Sequence, residues 1–487
     1  MTTLVDSSAL TELSALELAH RIRKQVVSPI DVVAAHIARI EAVNPALNAV
    51  VTPTFDLARR EAQAATDAII RGDPLGPLHG VPFTVKDNLD LAGVRSTCGL
   101  IPRADHYPDR DTTLVARLRA AGAIPLGKTN VPENCGDYET INLLFGQTNN
   151  PWDVTRSAGG STGGEAAIIA AGGSPLGIGT DIAGSIRLPA HFTGIVGLRP
   201  TSPSSSSLPQ DGIWPPLAGR LVNLNAVGPM ARRVEDVALA FDIMRAMPVQ
   251  PLDLGALQGE RVAFWFDDGI TPSSNAVRAG IRAAVAALKR AGMLPINGGP
   301  AARRFANIGW VKYLGDAERQ AWAAGFGNGQ IWSPLEEIGR ALRRRPRIAT
   351  GALVLWTAIH YGRLVPRVNG ADWRERLRRQ VHTLIGSGGV AVCPVFPTTA
   401  PRHGWSTWQS ILLNSYMTWV NLAGLPGLTV PVGRSAKNGM PVGVQLVGAP
   451  GAERTLLAAG LVIQQVLMPV WHGPLPTSNR PRRRRVP

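Results

Sequence analysis

The hydrophobic positions change their period several times along the chain. Ser28-Pro29-Ile30-Asp31 pairs an N-capping serine with a first-turn proline, and Val32, Val33, Ile37 and Ile40 follow at helical spacing. That pattern predicts a helix stopped by Asn44-Pro45. Val81 to Asp87 reads as a short buried strand with Lys86 at its end, and Val115 to Leu126 as helix, then strand. Residues 156–200 are rich in glycine and poor in charge; they read as loop, helix (Glu165 to Ala171), loop, and a tight turn at Gly184. Val234 to Met244, Val277 to Leu288 and Glu453 to Val466 carry helical periodicity, Val390 to Val395 reads as a strand, and Val430 to Val447 as a strand pair.

Strands and helices thus mix over the whole length, which predicts one α/β core. The expected organisation is a single domain over residues 1–475, with a helix-rich segment at 245–390 that shapes the substrate site. A basic, disordered tail at 476–487 follows. Ile348 to Ile359 is apolar but falls short of the roughly 20 residues that span a bilayer, so a buried helix is expected.

Composition narrows the class. The 487 residues are 45% hydrophobic and 17% charged, which suits a large buried core. The net charge of +15 is partly local: five arginines lie between Arg480 and Arg485, and Arg343, Arg344, Arg345 and Arg347 form a second run. Neither run interleaves aromatics, so no nucleic-acid partner is expected. A peripheral membrane contact and a homodimer stay open as partner readings. Three scattered cysteines, Cys98, Cys135 and Cys393, form neither a disulfide framework nor a zinc site. Free thiols and the absence of a secretory pattern at the N-terminus point to the cytoplasm. No metal-ligand cluster, phosphate loop or dinucleotide fingerprint occurs, so no cofactor is implied.

The candidate chemistry lies in three places. Lys86 sits among apolar residues, in a chain with six lysines against 44 arginines. A buried lysine loses its charge more readily and becomes a base, although pairing with Asp87 or another carboxylate explains such a residue equally well. Ser161 lies in Gly159-Gly160-Ser161-Thr162-Gly163-Gly164, and Ser185 in Asp181-Ile182-Ala183-Gly184-Ser185-Ile186-Arg187. Glycines beside a serine permit tight turns and let N–H groups approach an oxyanion.

The stretch GGSTGGEAAIIAAGGSPLGIGTDIAGSIRLPAHFTGIVGLRP strongly resembles the amidase signature, and VPFTVKDNLD resembles that family's lysine segment. Spacings of 75 residues from Lys86 to Ser161 and 24 from Ser161 to Ser185 look like the family's. LGKTNVPE, FGQTNNPW, NAVGPMARRVEDVAL, CPVFPTTAP and NLAGLPGLTVPVG extend the likeness over nearly the whole chain. The resemblance implies a large mixed β-sheet sandwiched between helices, and hydrolysis of a small-molecule carboxylic amide. It implies Ser185 as nucleophile, Ser161 as a bridge held by a cis peptide bond with Gly160, and Lys86 as base. Ile182, Ala183, Gly184 and Ser185 would form the oxyanion hole, with Asp181 and Arg187 holding their loop. Cys135, Gly160 and Thr162 are candidate substrate-binding residues.

Two positions depart from the family pattern. Thr162 replaces a serine, and Ala183 replaces a glycine, which would be strained at positive φ. Two rivals remain. Gly159 to Gly163 also fits the G-x-S-x-G nucleophile elbow, with Ser161 attacking and His360, His382, His403 or His472 as base. An ammonia-releasing amidotransferase subunit is the other, against which Leu188 stands where that group has glutamine. The likeness is closest to the fatty-acid-amide-hydrolase-like branch. Trp310, Trp322, Trp332, Trp356 and Trp373 in the middle segment suit an aromatic or fatty acyl group as well as they suit a core.

Overall fold

The computed structural model describes residues 7–202, 208–362, 369–470 and 473–474. His472 and the arginine-rich tail lie outside the described residues.

Eleven strands form one sheet. From one edge to the other they run Val50–Pro53, Ile124–Thr129, Pro82–Lys86, Leu176–Thr180, Val227–Ala231, Val196–Arg199, Gly427–Arg434, Pro441–Val447, Val390–Pro394, Arg261–Phe264 and Leu294–Asn297. The sheet is mixed. Pro82–Lys86 is parallel to both its neighbours, and Arg261–Phe264 likewise, whereas the central strands pair antiparallel. This is the mixed sheet of an α/β fold expected from the sequence. The middle segment supplies two of its strands, Arg261–Phe264 and Leu294–Asn297, at one edge.

Side chains alternate across a strand, so one strand can show what covers each face. Along Gly427–Arg434, Leu428 and Val430 pack toward Gly460 of the helix Glu453–Leu467. Between them, the Thr429 hydroxyl donates to the carbonyl of Arg187, at the head of the helix Arg187–Thr193. Helices therefore cover both faces. Leu428, Val430, Val444 and Leu446 are fully buried, and each such side chain contributes roughly 1.5–3 kcal/mol of transfer free energy.

The helices follow the predicted periodicities with shifted ends. The first extends over Pro29–Leu47 and contains Pro45 instead of stopping before it. The proline ring removes a donor to Glu41, a solvent-exposed residue, in the final turn. The helix ends at Asn48, in the left-handed region at φ 51°, and Asn44 Oδ1 takes the N–H groups of Ala49 and Val50 at 2.8 Å each. The apolar stretch from Ile348 becomes the helix Thr350–Tyr361, with Trp356 stacked on Phe326 at 5.1 Å between ring centroids. Among the described residues no helix is long and apolar enough to cross a membrane.

Candidate functional site

Lys86 ends the strand Pro82–Lys86, which is buried along its whole length. Thr84 and Lys86 share the face toward the helix Gly163–Ala170: the Thr84 hydroxyl donates to Glu165, and Lys86 Nζ donates to Ser161 Oγ at 2.7 Å. Lys86 Nζ also reaches Thr180 Oγ1 at 2.8 Å and the Thr180 carbonyl at 3.3 Å. Among the described residues no carboxylate pairs with it. Asp87 turns to Lys128 instead, at 3.4 Å, and to the Thr97 hydroxyl. Glu165 is spent on the hydroxyls of Thr84 and Thr129, and burial raises its carboxyl to about 8. Burial likewise pulls the Lys86 ammonium below the ordinary lysine range, with the nearby thiols opposing. The lysine is thus held by two hydroxyls and a carbonyl.

Ser161 follows a cis peptide bond with Gly160. Gly160 packs against the backbone of residues 137–139; a Cβ there would lie 2.7 Å from the Asp137 carbonyl. The Thr162 N–H donates to the Ser185 carbonyl at 3.3 Å, and its hydroxyl to the Thr180 carbonyl at 3.3 Å. Thr162 therefore ties the Ser161 turn to the Ser185 loop from behind. Neither Gly160 nor Thr162 is a lining residue of the cavity in front of Ser185.

The loop that carries Ser185 is built around Asp181. Its carboxylate accepts from Arg187 Nε at 3.0 Å, from Asn421 Nδ2 at 2.8 Å and from the Gly184 N–H at 2.7 Å. Burial alone would raise this carboxyl, but the buried Arg187 and Arg199 guanidiniums overcome it and hold it far below the usual carboxylate range. The Gly184 amide is thereby engaged. Gly184 itself sits at φ 111°, and a side chain there would strike Met417. Ala183 is not among the residues at positive φ, so the exchange for glycine brings no left-handed strain.

Two carbonyls of the loop are pinned outward. Trp310 Nε1 donates to the Ile182 carbonyl at 3.0 Å, and the Tyr138 hydroxyl to the Ala183 carbonyl at 3.2 Å. A trans peptide points its N–H opposite to its C=O, so Trp310 aims the Ala183 N–H away from itself. Among the described residues the N–H groups of Ile182, Ala183 and Ser185 make no hydrogen bond. They are donors still free for an incoming group.

A cavity of about 200 Å³ opens on Ser185. Ile182, Ala183, Trp310, Leu314, Trp322, Leu355 and Ile359 form apolar wall, and Cys135, Asp137 and Tyr138 also line it. Of the five tryptophans singled out above, Trp310 and Trp322 reach this cavity. Trp356 is a core residue, Trp373 donates to the Ala302 carbonyl at 2.6 Å, and Trp332 lies under Arg347. Asp137 is held by Thr407 Oγ1 at 2.9 Å, and burial lifts its carboxyl to about 7. Thr180, Asp137, Tyr138 and Asn421 escape sequence reasoning. His403 is occupied elsewhere, paired with Glu139, and His191 is buried between the carbonyls of Gly443 and Thr398.

Comparison with known proteins shows the family of the chain. The family model described as Amidase matches residues 31–457. Fatty-acid amide hydrolase 2-B of Danio rerio is 34% identical, covering 94% of this chain and 90% of its own. A glutamyl-tRNA(Gln) amidotransferase subunit of Carboxydothermus hydrogenoformans is 32% identical, covering 93% and 97%. The solved structure of 6-aminohexanoate cyclic dimer hydrolase with its substrate superposes with a TM-score of 0.77 at 26% identity, covering 96% of this chain and 99% of that one.

Proposed function

The chain belongs to the amidase family and is an amide-hydrolysing enzyme, and from that premise we propose that it cleaves amides of apolar carboxylic acids through Ser185, Ser161 and Lys86. The observation that carries this reading is the 2.7 Å contact of Lys86 Nζ with Ser161 Oγ, at a lysine paired to no carboxylate among the described residues. Such a lysine is neutralised by burial and can take a proton, which an ion-paired lysine cannot.

Neutral Lys86 draws the proton of Ser161, and Ser161 that of Ser185. Ser185 Oγ attacks the amide carbon. The oxyanion falls to the N–H groups of Ile182, Ala183 and Ser185, because the Gly184 N–H is already given to Asp181. A donor of this kind is worth about 2.7–4 kcal/mol in the transition state. Ser161 passes its proton to the leaving nitrogen, the C–N bond breaks, and the amine departs. Water then enters by the same relay and frees the carboxylate. The acyl group occupies the cavity against Trp310 and Trp322, which Cys135 also lines. One domain over residues 1–475 carries the whole reaction, and no cofactor takes part.

The similarity to the amidotransferase subunit keeps a second reading, ammonia release from glutamine, in view. The apolar cavity suits an acyl chain better than a glutamine side chain. A nucleophile elbow at Ser161 would need a histidine base, and Ser161 bonds to Lys86.

The test is labelling with a fluorophosphonate, followed by peptide mass spectrometry. Modification at Ser185, lost in Lys86→Ala, is expected. Modification at Ser161 with Lys86→Ala unimpaired would overturn the assignment. Turnover of glutamine faster than of any acyl amide would replace it by the ammonia-release reading.

A further inference from the structure

Cys98 and Cys135 meet at the wall of the cavity that opens on Ser185. Their sulfurs are 3.7 Å apart, although the residues lie 37 positions apart in sequence. Both hold left-handed backbone, at φ 52° and 54°, an uncommon state for side chains other than asparagine or aspartate. Their segments are tied by main chain: the Asn134 N–H donates to the Cys98 carbonyl at 3.0 Å, and the Cys98 N–H to the Asp87 carbonyl at 3.1 Å. The two thiols therefore cannot drift apart without loosening the end of the Lys86 strand. Cys135 also lines the cavity in front of Ser185, and its thiol and Lys86 act on each other electrostatically. Cys98 is fully buried behind it.

We propose that Cys98 and Cys135 are a site of reversible oxidation, closed to a disulfide by a hydroperoxide that enters through the acyl cavity, and that closing it switches hydrolysis off. The second half rests on the reading of Lys86 and Ser161 given above.

The geometry requires little movement. A disulfide bond measures about 2.05 Å, so each sulfur moves by roughly 0.8 Å toward the other. The reactivity is asymmetric in the right sense. Burial acts to raise both thiols, but the Cys98 thiol as hydrogen-bond donor pulls the Cys135 thiol below the ordinary range, whereas Cys98 is pushed well up by burial. Thiolates, not thiols, attack. Cys135 sulfur attacks a peroxide oxygen: the S–O bond forms, the O–O bond breaks, and the leaving oxygen departs as water (or as an alcohol from an organic hydroperoxide) after taking a proton. Cys135 is then a sulfenic acid. Cys98 loses its proton and its sulfur attacks that of Cys135; the S–S bond forms, the S–O bond breaks, and water leaves. Two electrons pass from the thiol pair to the hydroperoxide. Oxidation moves the Cys135 sulfur by roughly 0.8 Å toward Cys98, and a misplacement of that order beside reacting groups costs roughly 10²-fold in rate.

Cys393 is a built-in control. It is buried, its thiol is pushed well up by burial, and it faces Gln445 instead of the cavity.

The experiment exposes the whole chain to graded hydrogen peroxide, then divides each sample between a non-reducing digest for mass spectrometry and an amide-hydrolysis assay. Expected is a peptide containing Cys98 joined to one containing Cys135, with Cys393 still free. Turnover should fall roughly 10²-fold in step with that species and return with dithiothreitol. Cys98→Ala should lose the cross-link and leave the Cys135 sulfenic acid unresolved, so that excess peroxide carries it on to sulfinic acid and an inactivation that dithiothreitol does not reverse. Thiols that stay free, or Cys135 driven to sulfinic acid with no cross-link in the unmutated chain, overturn the proposal without need of any variant. A cross-link that leaves turnover unchanged overturns the switch, whereas full turnover retained in Lys86→Ala would overturn the Lys86–Ser161 reading on which it rests.

Discussion

Trp310→Phe isolates one bond that shapes the oxyanion site. The indole Nε1 donates to the Ile182 carbonyl at 3.0 Å, and through the planar peptide it aims the Ala183 N–H. Phenylalanine keeps an aromatic ring on the cavity wall and removes the donor. The net hydrogen bond is worth about 0.5–1.5 kcal/mol, which is roughly a two- to tenfold loss if the peptide stays in place on average. The ceiling is complete loss of one oxyanion donor, about 10²–10³-fold. Because the N–H acts on charge that develops only in the transition state, kcat and kcat/KM should fall together by about tenfold. Lost wall contact, by contrast, raises KM alone. The assay is steady-state hydrolysis of one apolar acyl amide by both proteins, with urea unfolding to establish that each is folded. A folded variant whose kcat is unchanged while KM rises would refute the aiming role and leave Trp310 as wall only.

Two further outcomes can be measured directly. Burial lowers Lys86, and the protonated form is the inactive one, so kcat/KM should rise with pH through an acid limb placed below the ordinary lysine range; a flat profile with chemistry rate-limiting contradicts a lysine base. Asp181→Asn leaves the buried Arg187 and Arg199 without their counter-charge and should cost about 3–5 kcal/mol in urea unfolding at pH 7. The Asp181 carboxyl is depressed in the folded state, so its contribution is present above the unfolded-state carboxylate range and is lost as pH falls through the folded value. The gap between the two proteins should therefore narrow in acid, and equal stability at pH 7 would contradict the buried pair.

Much of this protein was legible from local pattern. Helical periodicity located Val234–Met244 without error and Asn275–Arg290 to within two residues at each end, because buried faces impose a 3.6-residue repeat whatever they pack against. The glycine-rich run and the family's motifs pointed to amide hydrolysis, since such segments carry their chemistry in adjacent residues. The stop at Asn44-Pro45 failed because a proline in the last turn removes only one bond, and Asn44 and Asn48 supply a cap one turn later.

What the sequence by itself determined is the set of elements, the family and the residue types at the site. Whether Lys86 is a base or half of an ion pair was open there, because Asp87 is its neighbour in the chain. Tertiary structure separates the two: adjacent residues on a strand face opposite sides, so Asp87 goes to Lys128, and Lys86 goes to Ser161 and Thr180. The same holds for the Gly184 N–H claimed by Asp181, for Trp310 behind the Ile182 carbonyl, and for the thiols of Cys98 and Cys135. Each is a contact between distant segments, and the hydrophobic period that forms an element carries no record of which element it will touch.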